Sequence, residues 1–358
     1  MIDEHYLTTK QEQGQRKRSD LEEALGDRFW PLLDDPDVRE VNIRPNGAVW
    51  YQRVGRDGGK FQAEWVVDHE ESENIAHAIL QCLDGKYVLN EEQHYVNCKL
   101  QLSSPDEFAR VHLVGEWATA DGGYGILLRK HHGIAPTVEE WVKKGQMTPE
   151  QLVALRWTVT HRRNTLICGP MFAGKSTLIN SRYELIHRLD PTRAVGYIQD
   201  VPETVCPLSD RMALMVNKYT SYRKHCEEGF RQSVEEVTIN ELRGAEAYNL
   251  IHNLWLSGHN GGATTLHAVD ERQAMWRLGT LIREGLPQNA VLQPEVIAAA
   301  VHVIVILRFS HRIGRRIVKV LRVKGARADG SYEFEPLAPS VPWPESDFPA
   351  AGPLPAAG

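Results

Sequence analysis

Cysteine is scarce in this chain and none of it is paired. Cys82, Cys98, Cys168, Cys206 and Cys226 are spread over 358 residues. An odd count with no CxxC spacing argues against a disulfide framework and a zinc module, and suits a reducing cytoplasm. Long hydrophobic runs are missing too. The most apolar stretch, Ile297 to Leu307, carries His302 and falls far short of the roughly 20 residues that span a bilayer. Residues Met1 to Asp20 are charged and hold no apolar segment, so they are not read as a signal peptide. Membrane association is therefore expected only peripherally or through a partner. No large excess of one charge is present either: the net charge is −6, which gives no bulk attraction to DNA or anionic lipid. What remains is an ordinary soluble composition, 42% hydrophobic and 25% charged, at a length that suits about two domains.

The pattern along the chain divides accordingly. Residues 1–20 read as a disordered, solvated tail. Residues 21–130 mix helix and strand: Leu21 to Leu33 has helical spacing, Val38 to Ile43 and Ala48 to Val54 are strands joined by Pro45-Asn46-Gly47, and Glu73 to Leu83 is an amphipathic helix. Phe108 to Val114 and Gly125 to Arg129 are further strands. Residues 131–149 are expected to be a linker holding a short helix, Val138 to Lys144. Thr148-Pro149-Glu150-Gln151 then starts a helix, with Thr148 as cap, Pro149 at the first position and Gln151 completing a capping box. From residue 150 to about 309 strands and helices alternate, the pattern of a mainly parallel α/β sheet. Arg316 to Val323 and Tyr332 to Leu337 close that domain at residue 337, and 338–358 is expected to be a disordered proline-rich tail.

The most specific local signal is Gly169-Pro170-Met171-Phe172-Ala173-Gly174-Lys175-Ser176. It follows a short apolar strand, Asn164 to Cys168, and precedes a helical pattern starting at Thr177. This is GxxxxGK[ST] in its strand–loop–helix setting. Glycines let backbone N–H groups turn inward around phosphates, and the helix start adds its dipole. Lys175 would reach the β and γ phosphates, and the Ser176 hydroxyl would ligate Mg²⁺. Met171 and Phe172 put bulk where small residues are common; Phe172 could pack outward or line a nucleotide.

Carboxylates recur after the next strands. Ala194 to Ile198 leads into Gln199-Asp200-Val201-Pro202-Glu203, and Val237 to Ile239 leads into Asn240-Glu241-Leu242-Arg243-Gly244. A carboxylate so placed can orient water against a γ-phosphate; the lesser alternative is that Asp200 and Glu203 merely cap a helix. His259 and His267 flank a glycine-rich strand and suit a phosphate sensor or, taken singly, ordinary edge histidines. The basic stretch Arg312 to Arg327 alternates with Ile317, Val318, Val320, Leu321 and Val323, which reads as a strand with a solvated basic face. Direct nucleic-acid binding is not expected.

Together these segments resemble the VirB11-like secretion and conjugation ATPases, with TrbB-type conjugal transfer ATPases the nearest pattern. The resemblance rests on ELRGAEA at 241–247 and GHNGGATTLHA at 258–268, and extends over residues 20–337. It implies a RecA-like P-loop NTPase C-terminal domain of α/β class beside a smaller α+β N-terminal domain. It further implies ATP and Mg²⁺ as ligands, a homo-hexamer with nucleotide between the two domains, and cytoplasmic and inner-membrane partners in a secretion or conjugation complex. The implied location is cytoplasmic, peripheral on the inner membrane's cytoplasmic face. Residue by residue, it places Gly169 to Thr177 on the nucleotide, and Ser176 and Asp200 at Mg²⁺, the latter through water. Glu203 would assist Asp200, Glu241 would orient the lytic water, and His267 would sense the γ-phosphate. Arg110 and Arg129 would act as arginine-finger-like donors, or else as surface ion pairs. Gln199 stands where the family usually has glutamate, Glu235 where the Walker B aspartate is expected, and Asn240 where glycine precedes the glutamate. These departures leave room for an ATP-gated scaffold with little hydrolysis; a type II secretion or type IV pilus motor is the other alternative.

Overall fold

The structure, a computed structural model, describes residues 21–53, 59–83, 87–102, 107–217, 219–228, 233–288, 290–310 and 313–344. The chain forms two compact units divided between Ile134 and Ala135.

In the first unit, helix α1 (residues 21–34) buries Leu21, Leu25, Phe29 and Leu33, one face at a four-residue interval. Helix α2 (His69–Gln81) starts where Asp68 accepts from the Glu71 backbone N–H, and it buries Ile75, Ala76 and Ile79. Both pack with a six-stranded antiparallel sheet of order β3-β2-β1-β6-β5-β4. Its strands are β1 (Val38–Ile43), β2 (Ala48–Arg53), β3 (Gly59–Val66), β4 (Tyr95–Gln101), β5 (Glu107–Val114) and β6 (Gly125–His132). The β1–β2 turn needs its glycine, because a Cβ on Gly47 (φ +80°) would sit 2.2 Å from the Val67 carbonyl oxygen.

The second unit is a three-layer α/β domain. Its strands are β7 (Thr165–Cys168), β8 (Val195–Gln199), β9 (Arg211–Met215), β10 (Glu236–Ile239), β11 (Ala263–Leu266), β12 (Val303–Ser310), β13 (Gly314–Ala326) and β14 (Tyr332–Pro336). The order is β14-β13-β12-β7-β11-β10-β8-β9. Strands β12 to β9 in that order run parallel, and β13 and β14 are added antiparallel. Every residue of β7, β8, β10 and β11 is buried, as a sheet covered on both faces requires. Ile167, Tyr197 and Val305 face α3 (Val138–Lys143), α4 (Pro149–Thr160) and α5 (Lys175–Leu189). Leu166, Ile198 and Ile304 face the opposite layer, which contains α6 (Tyr222–Glu228), α7 (Glu246–Asn249), α8 (Glu271–Gly285) and α9 (Pro294–Ala300).

Two expectations change. The segment 131–149 is not free linker: Val138, Trp141 and Met147 are buried in the second unit's core. Residues 338–344 also pack onto that unit, with Ala338 buried and the Val341 N–H donating to the Val318 carbonyl. Residues 1–20 and 345–358 lie outside the described residues. Strand β9 is not legible from the sequence pattern, because Met212-Ala213-Leu214-Met215 shows no alternation of apolar and polar residues. Among the described residues no helix is long and apolar enough to cross a membrane.

The sheet order creates a crevice. From β7 the chain passes through α5 to β8, beyond β11 and β10; from β11 it passes through α8 and α9 to β12, on β7's other side. Connections thus diverge on either side of β7, and its carboxyl end is the topological switch point where open α/β sheets bind ligands.

Candidate functional site

The carboxyl end of β7 is Cys168, and the loop Gly169 to Gly174 leads directly into α5. Backbone geometry explains the glycines. A Cβ on Gly169 would lie 2.8 Å from the Leu307 carbonyl oxygen, and Gly174 holds φ +89°. Phe172 adopts φ 64°, a costly conformation for a bulky side chain. Its ring rests 5.9 Å from that of Phe309, so it packs toward β12, while Ala173 is buried. Lys175 opens α5 with Ser176 and Thr177 beside it. The Lys175 ammonium donates to the carbonyls of Gly169 and Pro170, each at 3.0 Å, and faces His267 Nδ1 at 3.3 Å.

The neighbouring strands end at the same edge. β11 delivers His267, β10 delivers Asn240 and Glu241, and β8 delivers Gln199 and Asp200. His267 Nε2 stands 3.2 Å from Glu241 Oε1. Because Nδ1 faces an ammonium, it accepts, and Nε2 is the nitrogen that donates to Glu241. Arg243 closes the other side, with one guanidinium nitrogen 2.8 Å from Glu241 Oε2 and another 2.6 Å from Asp200 Oδ2. The His267 hydrogen bond, aided by Arg243 and opposed by partial burial, brings the Glu241 carboxyl down to about 2. Lys175, His267, Glu241, Arg243 and Asp200 thus form one continuous polar chain along the sheet edge.

Gln199 shows what the missing glutamate charge is replaced by. Its carbonyl accepts from the backbone N–H groups of Glu203 and Thr204 and from the Asn240 amide at 3.1–3.3 Å. Asn240 also donates to Thr204 Oγ1 at 2.7 Å. Asn180 on α5 grips the same turn, donating to the Glu203 carbonyl and accepting from the Val205 N–H. The acidic turn is therefore tied to the phosphate-loop helix by neutral groups.

Other sequence-picked residues lie elsewhere. Glu235 is at the amino end of β10, where it accepts from Arg162 and from the Ala194 N–H; it is not a carboxylate of this edge. His259 precedes β11 and His267 follows it, so a four-residue strand separates them, roughly 13 Å of extended chain. Arg110 and Arg129 are in the first unit, directly opposite each other on β5 and β6, and Arg129 forms an ion pair with Glu40 at 2.9 Å. Arg243 sits inside ELRGAEA, where no local pattern assigns it a role, and only the fold brings it onto both carboxylates. The basic side chains of β13 are largely paired: Lys319 with Glu271, and Lys324 with Glu335.

Among the described residues no group of three or more His, Cys, Asp or Glu could hold a metal alone. Mg²⁺ is commonly held by substrate phosphates, waters and only one or two protein oxygens. The donor set here fits that kind of nucleotide-borne ion: the Ser176 hydroxyl opens α5, and Asn180 on the same helix holds the turn after Asp200.

A glycine-bordered loop on a switch-point strand, with a lysine inside it and a histidine–glutamate pair beside it, defines a RecA-like P-loop protein of α/β class. The chain belongs to the type II/IV secretion system protein family, which matches residues 122–328. It is similar to the probable conjugal transfer protein TrbB of Sinorhizobium fredii, 26% identical over 323 residues, covering 88% of this chain and 92% of that protein. It is also similar to the type IV secretion system protein VirB11 of Brucella suis, 24% identical, covering 77% and 81%. Among solved structures, the pilus retraction motor PilT with bound ADP aligns at TM-score 0.59, 16% identity, and 87% and 84% coverage. The ATPase DotB of Legionella pneumophila aligns at 0.58, 17% identity, and 83% and 80% coverage. At such identities these two attest the fold.

Proposed function

We propose that this protein is an ATP-binding and ATP-hydrolysing ring motor subunit, a homo-hexamer that powers a type IV secretion or conjugal transfer apparatus. The observation that carries the reading is the continuous chain from the phosphate-loop Lys175 through His267 to Glu241. It couples the residue that would hold the β and γ phosphates to the residue that would orient water. Gly169 to Thr177 bind the phosphates by backbone N–H groups and the α5 dipole. Mg²⁺, when bound, would supply neutralisation of phosphate charge. Ser176 would hold it directly and Asp200 through water, with Glu203 in the same turn. Glu241, ionised at neutral pH, accepts from the attacking water, and His267 reports whether Lys175 is engaged. Arg110 and Arg129 are the arginine-finger-like donors of this reading. The subunit works in the cytoplasm, peripheral to the inner membrane, with the cytoplasmic and inner-membrane parts of its secretion or conjugation complex.

One observation favours a second reading. Arg243 engages both Glu241 and Asp200, which suits an ATP-gated scaffold whose carboxylates are held back from catalysis. Steady-state ATP hydrolysis beside Glu241→Gln, with assembly state followed in parallel, separates the two. Magnesium-dependent turnover that drops about 10²–10⁴-fold in the variant supports the motor. Tight ATP binding with no turnover in either protein supports the scaffold.

A further inference from the structure

The closing hairpin of the second unit reaches back to the phosphate loop on the side opposite the carboxylates. Around β7, strands β11, β10 and β8 bring His267, Glu241 and Asp200 to one flank, and the Lys175 ammonium points there. On the other flank β12 and β13 bring Phe309 and Arg315, which pair directly across the hairpin. Arg315 Nη1 donates to Thr177 Oγ1 at 3.2 Å. Its guanidinium lies 5.6 Å from the centre of the Trp141 ring. A Cβ on Gly174 would fall 2.9 Å from the Arg315 side chain and 3.2 Å from Trp141, so glycine there also makes room for the arginine.

This placement has an electrostatic oddity. A helix amino terminus repels cations and attracts anions. The first turn of α5 nevertheless contains no acidic residue, and it gathers two cations, Lys175 from within and Arg315 from β13. Trp141 offsets part of that repulsion through its ring face, and it fixes the direction of the guanidinium. An anion bound in the loop would be attracted by both cations and by the helix terminus. Lys175 serves the end of that anion nearest β11. Arg315, a planar fork held to the Thr177 hydroxyl, stands at the opposite end.

Building on the nucleotide-binding reading above, we propose that Arg315 is a nucleotide-binding residue that contacts the α-phosphate of a nucleoside di- or triphosphate, with Thr177 orienting its guanidinium. It acts in binding and leaves the attacking water to Glu241. Arg315 thereby brings the start of β13 into the site, whereas Arg316 is turned to the Gly145 carbonyl.

The test uses the full chain, with ADP and AMP titrated by calorimetry and the ³¹P spectrum of bound ADP recorded. Arg315→Gln weakens ADP and AMP by the same factor, about 10–100-fold, the scale of a hydrogen bond to a charged group. Lys175→Ala weakens ADP far more than AMP. In the spectrum, Arg315→Gln displaces the α-phosphorus resonance and Lys175→Ala the β resonance. A purely structural arginine would change melting temperature without that α-specific signature. Unchanged ADP affinity in Arg315→Gln, beside normal binding by the parent protein, overturns this proposal and leaves the broader reading standing. Failure of the parent to bind ADP overturns both. If the glutamine variant does not fold, Arg315→Lys keeps a cation on Trp141 while losing the fork, and the same loss for ADP and AMP is expected; equal affinity to the parent overturns the proposal.

Discussion

Replacing Glu236 by glutamine tests how the phosphate-loop helix is anchored to the strand that carries Glu241. Glu236 opens β10 at 1% side-chain exposure and takes two guanidinium groups, Arg182 of α5 at 2.9 Å and Arg193 at 3.1 Å. Those arginines are themselves only 6% and 4% exposed. Arg193 keeps a second partner in Asp190 at 3.0 Å. Arg182 donates to the Gly261 carbonyl, but its Nε is buried without a partner among the described residues. Glu236→Gln preserves the shape and strands positive charge in the interior, which costs about 3–5 kcal/mol when one member of a buried pair is removed. For a unit of this size each kcal/mol moves the melting temperature by about 2–4 °C, so a fall of about 6–20 °C is expected by calorimetry on the full chain. Weaker ADP binding should accompany it, since α5 and β10 lose their tie. Replacing all three by Met, Leu and Met should recover much of the stability, because buried ion triads are often matched by apolar packing. A fall below about 2 °C in Glu236→Gln would refute the reasoning, because it would mean that water or relaxation already compensates the arginines.

Three further outcomes are expected. Arg243→Gln releases Glu241 and Asp200, so ADP affinity stays near the parent value and basal ATP turnover rises; a lower turnover would assign the guanidinium to the transition state instead. His302 is held below its ordinary 6.5 by burial, with Arg163 and Arg322 adding to the effect, and its Nδ1 accepts the Asn164 N–H. The unfolded chain therefore takes up the proton first as pH falls below about 6.5, and stability present above that value is lost on acidification. His302→Gln should flatten the change in melting temperature between about pH 7.5 and 5.5, and an identical slope in both proteins would contradict the assignment. Alanine at Arg110 or Arg129 should lower ATP turnover by up to about 10³–10⁵-fold with circular dichroism unchanged, while undiminished turnover returns both to surface ion pairing.

Much of the architecture was written locally. The capping box at Thr148 and Gln151 forms with both hydrogen bonds in place, and the helix begins at Pro149 because each partner lies within one turn of the other. The hairpin glycine, the apolar strand before Gly169 and the helix after it are equally short-range signals. Signals failed where apolar and polar residues did not alternate, as in the Met212-Ala213-Leu214-Met215 run of β9, or where a residue's end of the strand mattered. Glu235 and Glu241 bracket the same four-residue strand, and periodicity alone says nothing about which end meets the phosphate loop.

The sequence by itself determined that a GxxxxGK[ST] loop sits between a buried strand and a helix, and that acids and histidines follow later strands. Backbone dihedral preference, capping and hydrophobic period act within a few residues, so they are legible without the fold. Only the tertiary structure decided which of those residues meet. Parallel pairing of β8, β10 and β11 with β7 puts Asp200, Glu241 and His267 on one edge and sends Glu235 and His259 to the other. The antiparallel return of β13 lays Arg315 on Thr177, a pairing 138 residues apart in the chain. Such encounters follow from strand order and burial across the whole sheet, which no local stretch of residues contains.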